Sequence, residues 1–132
     1  MSISINLRDE AVLVPPGRYP VEVEEVTLRD SKKGSQYLNL RLRILEGAHE
    51  GSKLWAIASL RQDMRRMLRS TLGALGVEGD SIEIEVEQFN DELVVVEPTL
   101  EGRHAVADVV HQEFMGETQS KVRRLIAEEV VS

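Results

Sequence analysis

One stretch with a large aliphatic residue at every second position constrains this chain more than any other feature. In QYLNLRLRI the alternating aliphatic positions are Leu38, Leu40, Leu42 and Ile44. Successive side chains of a β-strand point to opposite faces, so the pattern predicts a strand with one buried face. The polar residues of that strand then share the other face: Tyr37, Asn39, Arg41 and Arg43.

The segment before this strand predicts another strand that contains a bulge. VPPGRYP holds the chain in extended or turn conformations, because proline fixes its own φ and disfavours helix in the preceding residue. VEVEEVTL follows, and its two halves, VEV and VTL, alternate in opposite phase. A change of phase at Glu25 is typical of a β-bulge in a strongly curved sheet. The polar turn RDSKKGSQ, with Gly34 at its tip, then leads into the strand of Tyr37.

KLWAIAS, which begins at Lys53, predicts a third strand whose buried face is ambiguous. Trp55 shares one parity with Ile57, whereas a leucine and two alanines share the other. Either set can form the core face. Trp55, the one tryptophan of the chain, is therefore either a core residue or an exposed platform on which a base stacks.

The next segment, SLRQDMRRMLRSTLGALG, changes to helical spacing of its apolar residues. Ser59 and Gln62 are placed as a capping box, and Gly76 as a helix stop. The opposite face of this predicted helix carries four arginines, for which a solvated surface is the simpler interpretation: Arg61, Arg65, Arg66 and Arg69.

The segment 77–101 has nine acidic residues and no basic one, and its structure is the least certain. SIEIEVE predicts a strand with Ile82, Ile84 and Val86 inward, and ELVVVEP is either a second strand or a short buried segment ended by Pro98. We treat 77–101 as an acidic insertion. After it, RHAVADVVHQEF and TQSKVRRLIA predict a hairpin around the turn MGET.

This order of elements predicts a mainly β fold of the OB type. The fold is a five-stranded barrel with one α-helix between the third and fourth strands, here with the acidic insertion added. We expect one domain over 1–132 with its core in 16–126, because the chain is too short for two comfortable cores. In OB-folds the second and third strands and their flanking loops commonly bind oligonucleotides.

The charge distribution favours a partner for the middle of the chain. Residues 29–69 carry ten basic and four acidic residues, net +6, in a protein of net charge −7. Within 31–47, the stretch around Tyr37, Glu46 is the only acid that opposes the four basic residues. Cations that contact phosphates and rings that stack on bases are what sequence-tolerant binding of single-stranded DNA requires, although a solvated strand face has the same composition. The predicted DNA-binding residues are Lys32, Lys33, Tyr37, Asn39, Arg41, Arg43, Lys53, Trp55, Phe114, Lys121 and Arg123.

Other classes of protein are disfavoured by composition and motifs. The chain has no cysteine, long apolar run or basic-then-apolar N-terminus, so we expect a cytoplasmic protein without a membrane span. GAHEGSK is too short for a phosphate-binding loop. Glu83, Glu85 and Glu87 share a strand face that suits Mg²⁺, but no nearby lysine or histidine completes a nuclease site. We expect no enzymatic activity, cofactor or metal.

Several stretches resemble the phage-encoded single-stranded-DNA-binding proteins of OB-fold type, a family long catalogued as a phage domain of unknown function. These stretches are PPGRYPVEV, SKKGSQYLNLRL, LGALGV, EGRHAVADV and FMGETQSKV, and the similarity covers 16–125. It implies binding of single-stranded DNA in phage replication or recombination, in the host cytoplasm and without catalysis. Carried over by position, it implies contacts from Lys32, Lys33, Tyr37, Asn39, Arg41 and Lys121.

The end of the chain departs from this resemblance, because LIAEEVVS lacks the long acidic tail with which replicative binding proteins recruit partners. The segment 77–101 is either a partner surface in its place or a negative surface that steers DNA to the basic face. The alternative function is a protein-interaction module of a replication or recombination complex. An exposed strand edge at the insertion or at the C-terminal strand offers a route to a homodimer.

Overall fold

The computed structural model describes residues 13–32, 34–79 and 81–128. Within these residues seven antiparallel strands form one sheet, accompanied by one short α-helix, so the chain is mainly β as predicted. The strands are β1 Gly17–Asp30, β2 Gln36–Ile44, β3 Lys53–Ser59, β4 Glu85–Phe89, β5 Glu92–Glu97, β6 His104–Phe114 and β7 Glu117–Ile126. A 3₁₀ turn, Gln62–Met64, precedes the helix α1, Arg65–Ala74.

The long strand β1 is central to the sheet, whose order is β3-β2-β1-β5-β4. In addition, β6 pairs with β1, and β7 pairs with β6. One edge of β1 pairs with β2, while β6 and β5 pair with its first and last parts on the other edge. The register with β2 shifts between Val23 and Glu25, which confirms the predicted bulge. A bulge bends its strand and increases the local twist, which allows β1 to pair with β6 along its first part and with β5 along its last part.

Inward-facing aliphatic residues from all three N-terminal strands build the core. The four alternating residues of β2 are at most 1% exposed, which confirms the predicted buried face. In β3 the buried residues are Leu54, Ala56 and Ala58, so Trp55 and Ile57 lie on the outer face. Trp55 therefore lies outside the core, because the core face of β3 is the one that carries the leucine and the two alanines.

The predicted count of five strands is wrong, because the acidic insertion forms two further strands. β4 and β5 make a hairpin, and β5 pairs with β1 at Thr27 and Leu28. The two-residue loop of this hairpin is possible because Asn90 adopts a positive φ of 56°. The strand predicted to start in SIEIEVE begins only at Glu85, and Ile82 and Ile84 instead pack, partly buried, against the core.

The predicted start of the helix is also wrong. Ser59 is the last residue of β3, and its hydroxyl accepts a hydrogen bond from the Arg61 backbone N–H at 3.2 Å. The capping box with Gln62 therefore does not form, and α1 begins only after the 3₁₀ turn. Its buried residues Leu68 and Leu72 cover the core, as their spacing predicts.

The end of the helix and the C-terminal hairpin agree with the sequence. Gly76 follows α1 with a φ of 85°, the left-handed conformation expected at a helix stop. β6 and β7 pair around Met115 and Gly116, both at positive φ, which confirms the hairpin. No helix in the described part of the chain is long and apolar enough to cross a membrane.

Candidate nucleic-acid interface

The outer sides of β1, β2 and β3 form one continuous surface, which we call the three-strand face. Cross-strand neighbours share a face, so the register assigns its members row by row. From β1 through β2 to β3, the rows are Arg29, Tyr37 and Ser59; Thr27, Asn39 and Ile57; Glu25, Arg41 and Trp55; Glu22, Arg43 and Lys53. Six of the predicted binding residues are thus brought together.

Apolar side chains lie among the polar ones on β3. Ile57 is 68% exposed, and Trp55, its neighbour on the same face, is partly exposed. Tyr37, two rows from Trp55, is also partly exposed. The sequence prediction omitted Ile57 from the site, although its shared parity with Trp55 was the signal that placed both on one face. Together these three side chains supply flat and apolar area for a planar ligand.

The cations that β2 and β3 contribute to the three-strand face are paired with carboxylates from β1. Lys53 Nζ lies 2.6 Å from Glu24 Oε1, and Arg41 Nε lies 3.4 Å from the same oxygen. Arg43 Nη2 lies 2.6 Å from Glu22 Oε2. The expectation that only Glu46 opposes these bases is therefore wrong. Glu22 and Glu24 escaped it because they are distant in sequence and meet the bases only through the β1–β2 pairing.

Glu24 is the electrostatic centre of this surface. Burial of its carboxyl acts to raise its pKa. The hydrogen bond from Lys53 and the positive charges of Lys53, Arg41 and Arg43 outweigh burial, and the pKa lies below its ordinary value of 4.5. Glu24 is therefore ionised at neutral pH, and it holds the side chains of two neighbouring strands in place.

A cavity of about 270 Å³ lies in the middle of the face, between Asn39, Arg41 and Trp55. Its wall on the side of β1 includes Arg29, whose guanidinium donates hydrogen bonds to Thr27 Oγ1 at 3.2 Å and to Glu92 Oε1 at 3.1 Å. Glu92 belongs to β5, so the acidic hairpin reaches the edge of the three-strand face. The wall thus combines two arginines, an asparagine and an indole ring with two carboxylates, Glu25 and Glu92, which suits a planar group that both donates and accepts hydrogen bonds.

The remaining predicted residues lie around this face or outside the described residues. Lys32 is exposed in the loop before β2, and Lys33 is not among the described residues. Lys121 and Arg123 are exposed on β7, a strand that contacts β3. Lys32, Lys121 and Arg123 form no ion pair with any described residue. Phe114 ends β6, and its side chain lies outside the description.

The carboxylates of the acidic hairpin do not converge. Glu83 precedes β4, whereas Glu85 and Glu87 lie within it. In the described parts of the chain no group of three or more histidine, aspartate or glutamate side chains is arranged to hold a metal ion.

Comparison with known proteins gives a family without an assigned activity. The family model described as "Protein of unknown function (DUF669)" matches residues 4–123. No curated protein matches the chain.

Proposed function

The chain belongs to the DUF669 family, and we propose that it is a sequence-tolerant single-stranded-DNA-binding protein whose binding surface is the three-strand face. The observation that carries the proposal is that aromatic, apolar and cationic side chains lie together on that one face. Tyr37, Trp55 and Ile57 offer stacking and apolar contact. Arg29 shares the row of Tyr37, Arg41 shares the row of Trp55, and the row beside Trp55 carries two further cations. The resemblance of the sequence to phage single-stranded-DNA-binding proteins supports a setting in phage DNA replication or recombination.

The ion pairs of this face are compatible with DNA binding. The side chains of Arg41 and Arg43 are 38% and 45% exposed, so their pairs with Glu24 and Glu22 are surface ion pairs. Such pairs contribute only about 0–1 kcal/mol, and a DNA phosphate can replace the carboxylate at little cost. Base stacking on a side chain contributes about 1–3 kcal/mol per base, which is enough to favour the exchange.

The topology supports an OB-type barrel with an inserted hairpin. β1, β2 and β3 precede α1, and β6 and β7 follow it, which is the OB order once β4 and β5 are set aside. β1 pairs with both β2 and β6, and β3 contacts β7. These relations support a curled sheet that closes near β3 and β7. In this arrangement the three-strand face corresponds to the customary binding side of the fold.

Fluorescence anisotropy with a labelled dT oligomer of about 30 nucleotides and a duplex of the same length tests the proposal. We expect the single strand to bind far more tightly than the duplex, and its affinity to fall steeply between low salt and about 0.2 M salt because counterions are released. Tyr37→Ala and the double variant Arg41→Ala, Arg43→Ala should each weaken binding of the single strand.

The matched control is the double variant Arg18→Ala, Arg124→Ala, which removes the same charge elsewhere. Arg18 is the register partner of Asp108 on β6, and Arg124 Nε lies 3.5 Å from the Asp108 carboxylate, so this pair also borders a carboxylate. If the control weakens binding as much as the variant of the three-strand face, the affinity for DNA depends only on the net charge of the protein, and the assigned surface is wrong. If the wild type binds no single strand at low salt, the proposed function is wrong.

A second candidate is a protein-interaction module of a replication or recombination complex. The acidic hairpin favours it, because Phe89 is 69% exposed on β4 next to exposed carboxylates. Exposed aromatic residues are common anchors of protein interfaces. This candidate predicts that Phe89→Ala abolishes capture of a partner protein and leaves DNA affinity unchanged.

A further inference from the structure

We propose that single-stranded DNA leaving the three-strand face continues into a groove between the β1–β2 loop, α1 and the segment 81–84. This inference rests on the proposed function and extends its binding site. The groove, which we call the α1 groove, has a volume of about 580 Å³. Leu60, Leu68, Ile82 and Ile84 form its apolar lining, and Arg61 and Arg65 are its cations.

The α1 groove begins where the three-strand face ends. Tyr37 and Ser59 form the last row of the face. The next residues outward are Gln36 and Leu60, which are joined by a hydrogen bond from the Leu60 N–H to the Gln36 carbonyl at 2.9 Å. Both of these residues line the groove. The α1 groove therefore borders the last row of the face, within reach of a DNA strand that is stacked on Tyr37.

A second cavity extends the path along the helix. Its volume is about 510 Å³, and it shares Arg65, Leu68 and Ile82 with the α1 groove. The two cavities thus follow one another on either side of Arg65. The α1 residues that line the two cavities extend from Arg65 to Leu72, so this side of the helix adds about 12 Å of surface beyond the three-strand face.

The charges of the groove favour phosphate. Arg65 is exposed and forms no ion pair with any residue among 13–32, 34–79 and 81–128. Arg61 pairs with Asp63 at 3.0 Å, but both side chains are more than half exposed, so this pair is weak. Among the described residues that line the groove, Asp30 is the one carboxylate. Two cations beside an apolar lining match the alternation of phosphate and base along a single strand.

The helix itself supplies a control for the position of the cation. Arg66 is exposed on α1, next in sequence to Arg65, and lines neither cavity. The double variant Arg61→Ala, Arg65→Ala removes the cations of the groove, and Arg66→Ala removes a cation from the same helix outside it. All are exposed positions, so the fold should persist, and circular dichroism and the Tm verify it.

The experiment compares the affinity for a dT oligomer of about 6 nucleotides with that for one of about 20 nucleotides, since OB-folds cover about 4–16 nucleotides. The double groove variant should bind the short oligomer like the wild type. It should bind the long oligomer about tenfold more weakly, with a salt slope lower by about 1.4, because about 0.7 is lost per phosphate contact on a single strand. Arg66→Ala should match the wild type with both oligomers.

Two results overturn the extension of the binding site while leaving the proposed function intact. One is a double groove variant that binds the long oligomer with wild-type affinity and salt slope. The other is an equal loss on short and long oligomers, which would make Arg61 and Arg65 part of the first contact surface. A wild type that binds neither oligomer overturns the proposed function itself, so the two failures are distinguishable.

Discussion

Trp55 on β3 lies directly opposite Arg41 on β2, and both side chains point to the outside of the sheet. Arg41 is held from its other side by Glu24 of β1, so an aromatic ring and a tethered cation are presented together. Both residues line the central cavity of the three-strand face. A nucleotide that stacks on the indole would therefore have its phosphate within reach of a guanidinium.

The fluorescence of Trp55 should report DNA binding directly, because it is the one tryptophan of the chain. We expect dT oligomers to quench it and the matching duplex to leave it unchanged. Trp55→Ala should weaken binding of the single strand by about 1–3 kcal/mol, the range measured for stacking side chains. Anisotropy with a labelled oligomer measures that loss independently of the fluorescence.

Phe89→Ala is the control for the stacking prediction, since Phe89 is an exposed aromatic residue on the acidic hairpin. It should leave the affinity for single-stranded DNA unchanged. A Trp55→Ala variant that binds as tightly as the wild type would show that the indole is not a stacking platform.

Removing the carboxylates of β1 should strengthen DNA binding. Glu24→Gln releases Lys53 and Arg41, and Glu22→Gln releases Arg43. Since each carboxylate competes with phosphate for an exposed cation, we expect each substitution to improve binding by about 0.5–1 kcal/mol at low salt. Glu117→Gln, an exposed residue at the start of β7, makes the same change of charge and should have a smaller effect. Equal effects would show that only net charge is being measured.

The ionisation of Glu24 should make stability depend on pH in the acid range. Its pKa is lower in the folded protein than its ordinary value of 4.5, so its contribution is present above pH 4.5 and is lost as the pH falls through the folded pKa. Urea unfolding of the wild type and Glu24→Gln from pH 3 to pH 7 tests this. We expect Glu24→Gln to be less stable at pH 7 by under about 1 kcal/mol, and the difference to vanish in acid.

The opposite trend would contradict this assignment. Suppose that the stability of the wild type increases relative to that of Glu24→Gln as the pH falls below 4.5. Burial of the carboxyl would then outweigh its cationic partners, and its pKa would be raised rather than lowered.

The parts of the fold that the sequence predicts are those in which one face of a strand is buried. In β2 the alternation of leucine with polar residues determines which face is buried, because a shift of the pairing by one residue would expose every leucine. The bulge in β1 is readable for the same reason, since the change of phase at Glu25 marks the extra residue. Three strands, the outer position of Tyr37 and the C-terminal hairpin follow from this local information.

Strand pairing and ion pairs between distant segments cannot be predicted from such local patterns. The pairing of β5 with Thr27 and Leu28 joins residues that are more than sixty positions apart, and no local pattern in ELVVVEP indicates it. The ion pairs of Glu22 and Glu24 depend on the β1–β2 register and on where the bulge falls. The prediction of a capping box was wrong because Ser59 matches a local pattern for a helix start but is the last residue of β3.

The helix end offers a test of the packing that holds α1 on the sheet. Gly76 has a φ of 85°, and a Cβ there would lie 3.1 Å from Arg103 Nη1, which donates a hydrogen bond to the Leu75 carbonyl at 3.0 Å. Gly34 has a similar φ of 82°, but no atom lies within 4 Å of its added Cβ. Both glycine-to-alanine substitutions incur the left-handed strain of about 1–2 kcal/mol, and only Gly76→Ala also displaces Arg103.

We therefore expect Gly76→Ala to destabilise the protein more than Gly34→Ala, by up to about 1 kcal/mol, because the end of the Arg103 side chain has to shift by a few tenths of an ångström and its hydrogen bond is weakened. Urea unfolding measures both. In an Arg103→Ala background the excess cost of Gly76→Ala should disappear, because the contact is already gone. Equal costs of the two glycine substitutions in the wild-type background would show that Arg103 moves aside freely and does not anchor the end of α1.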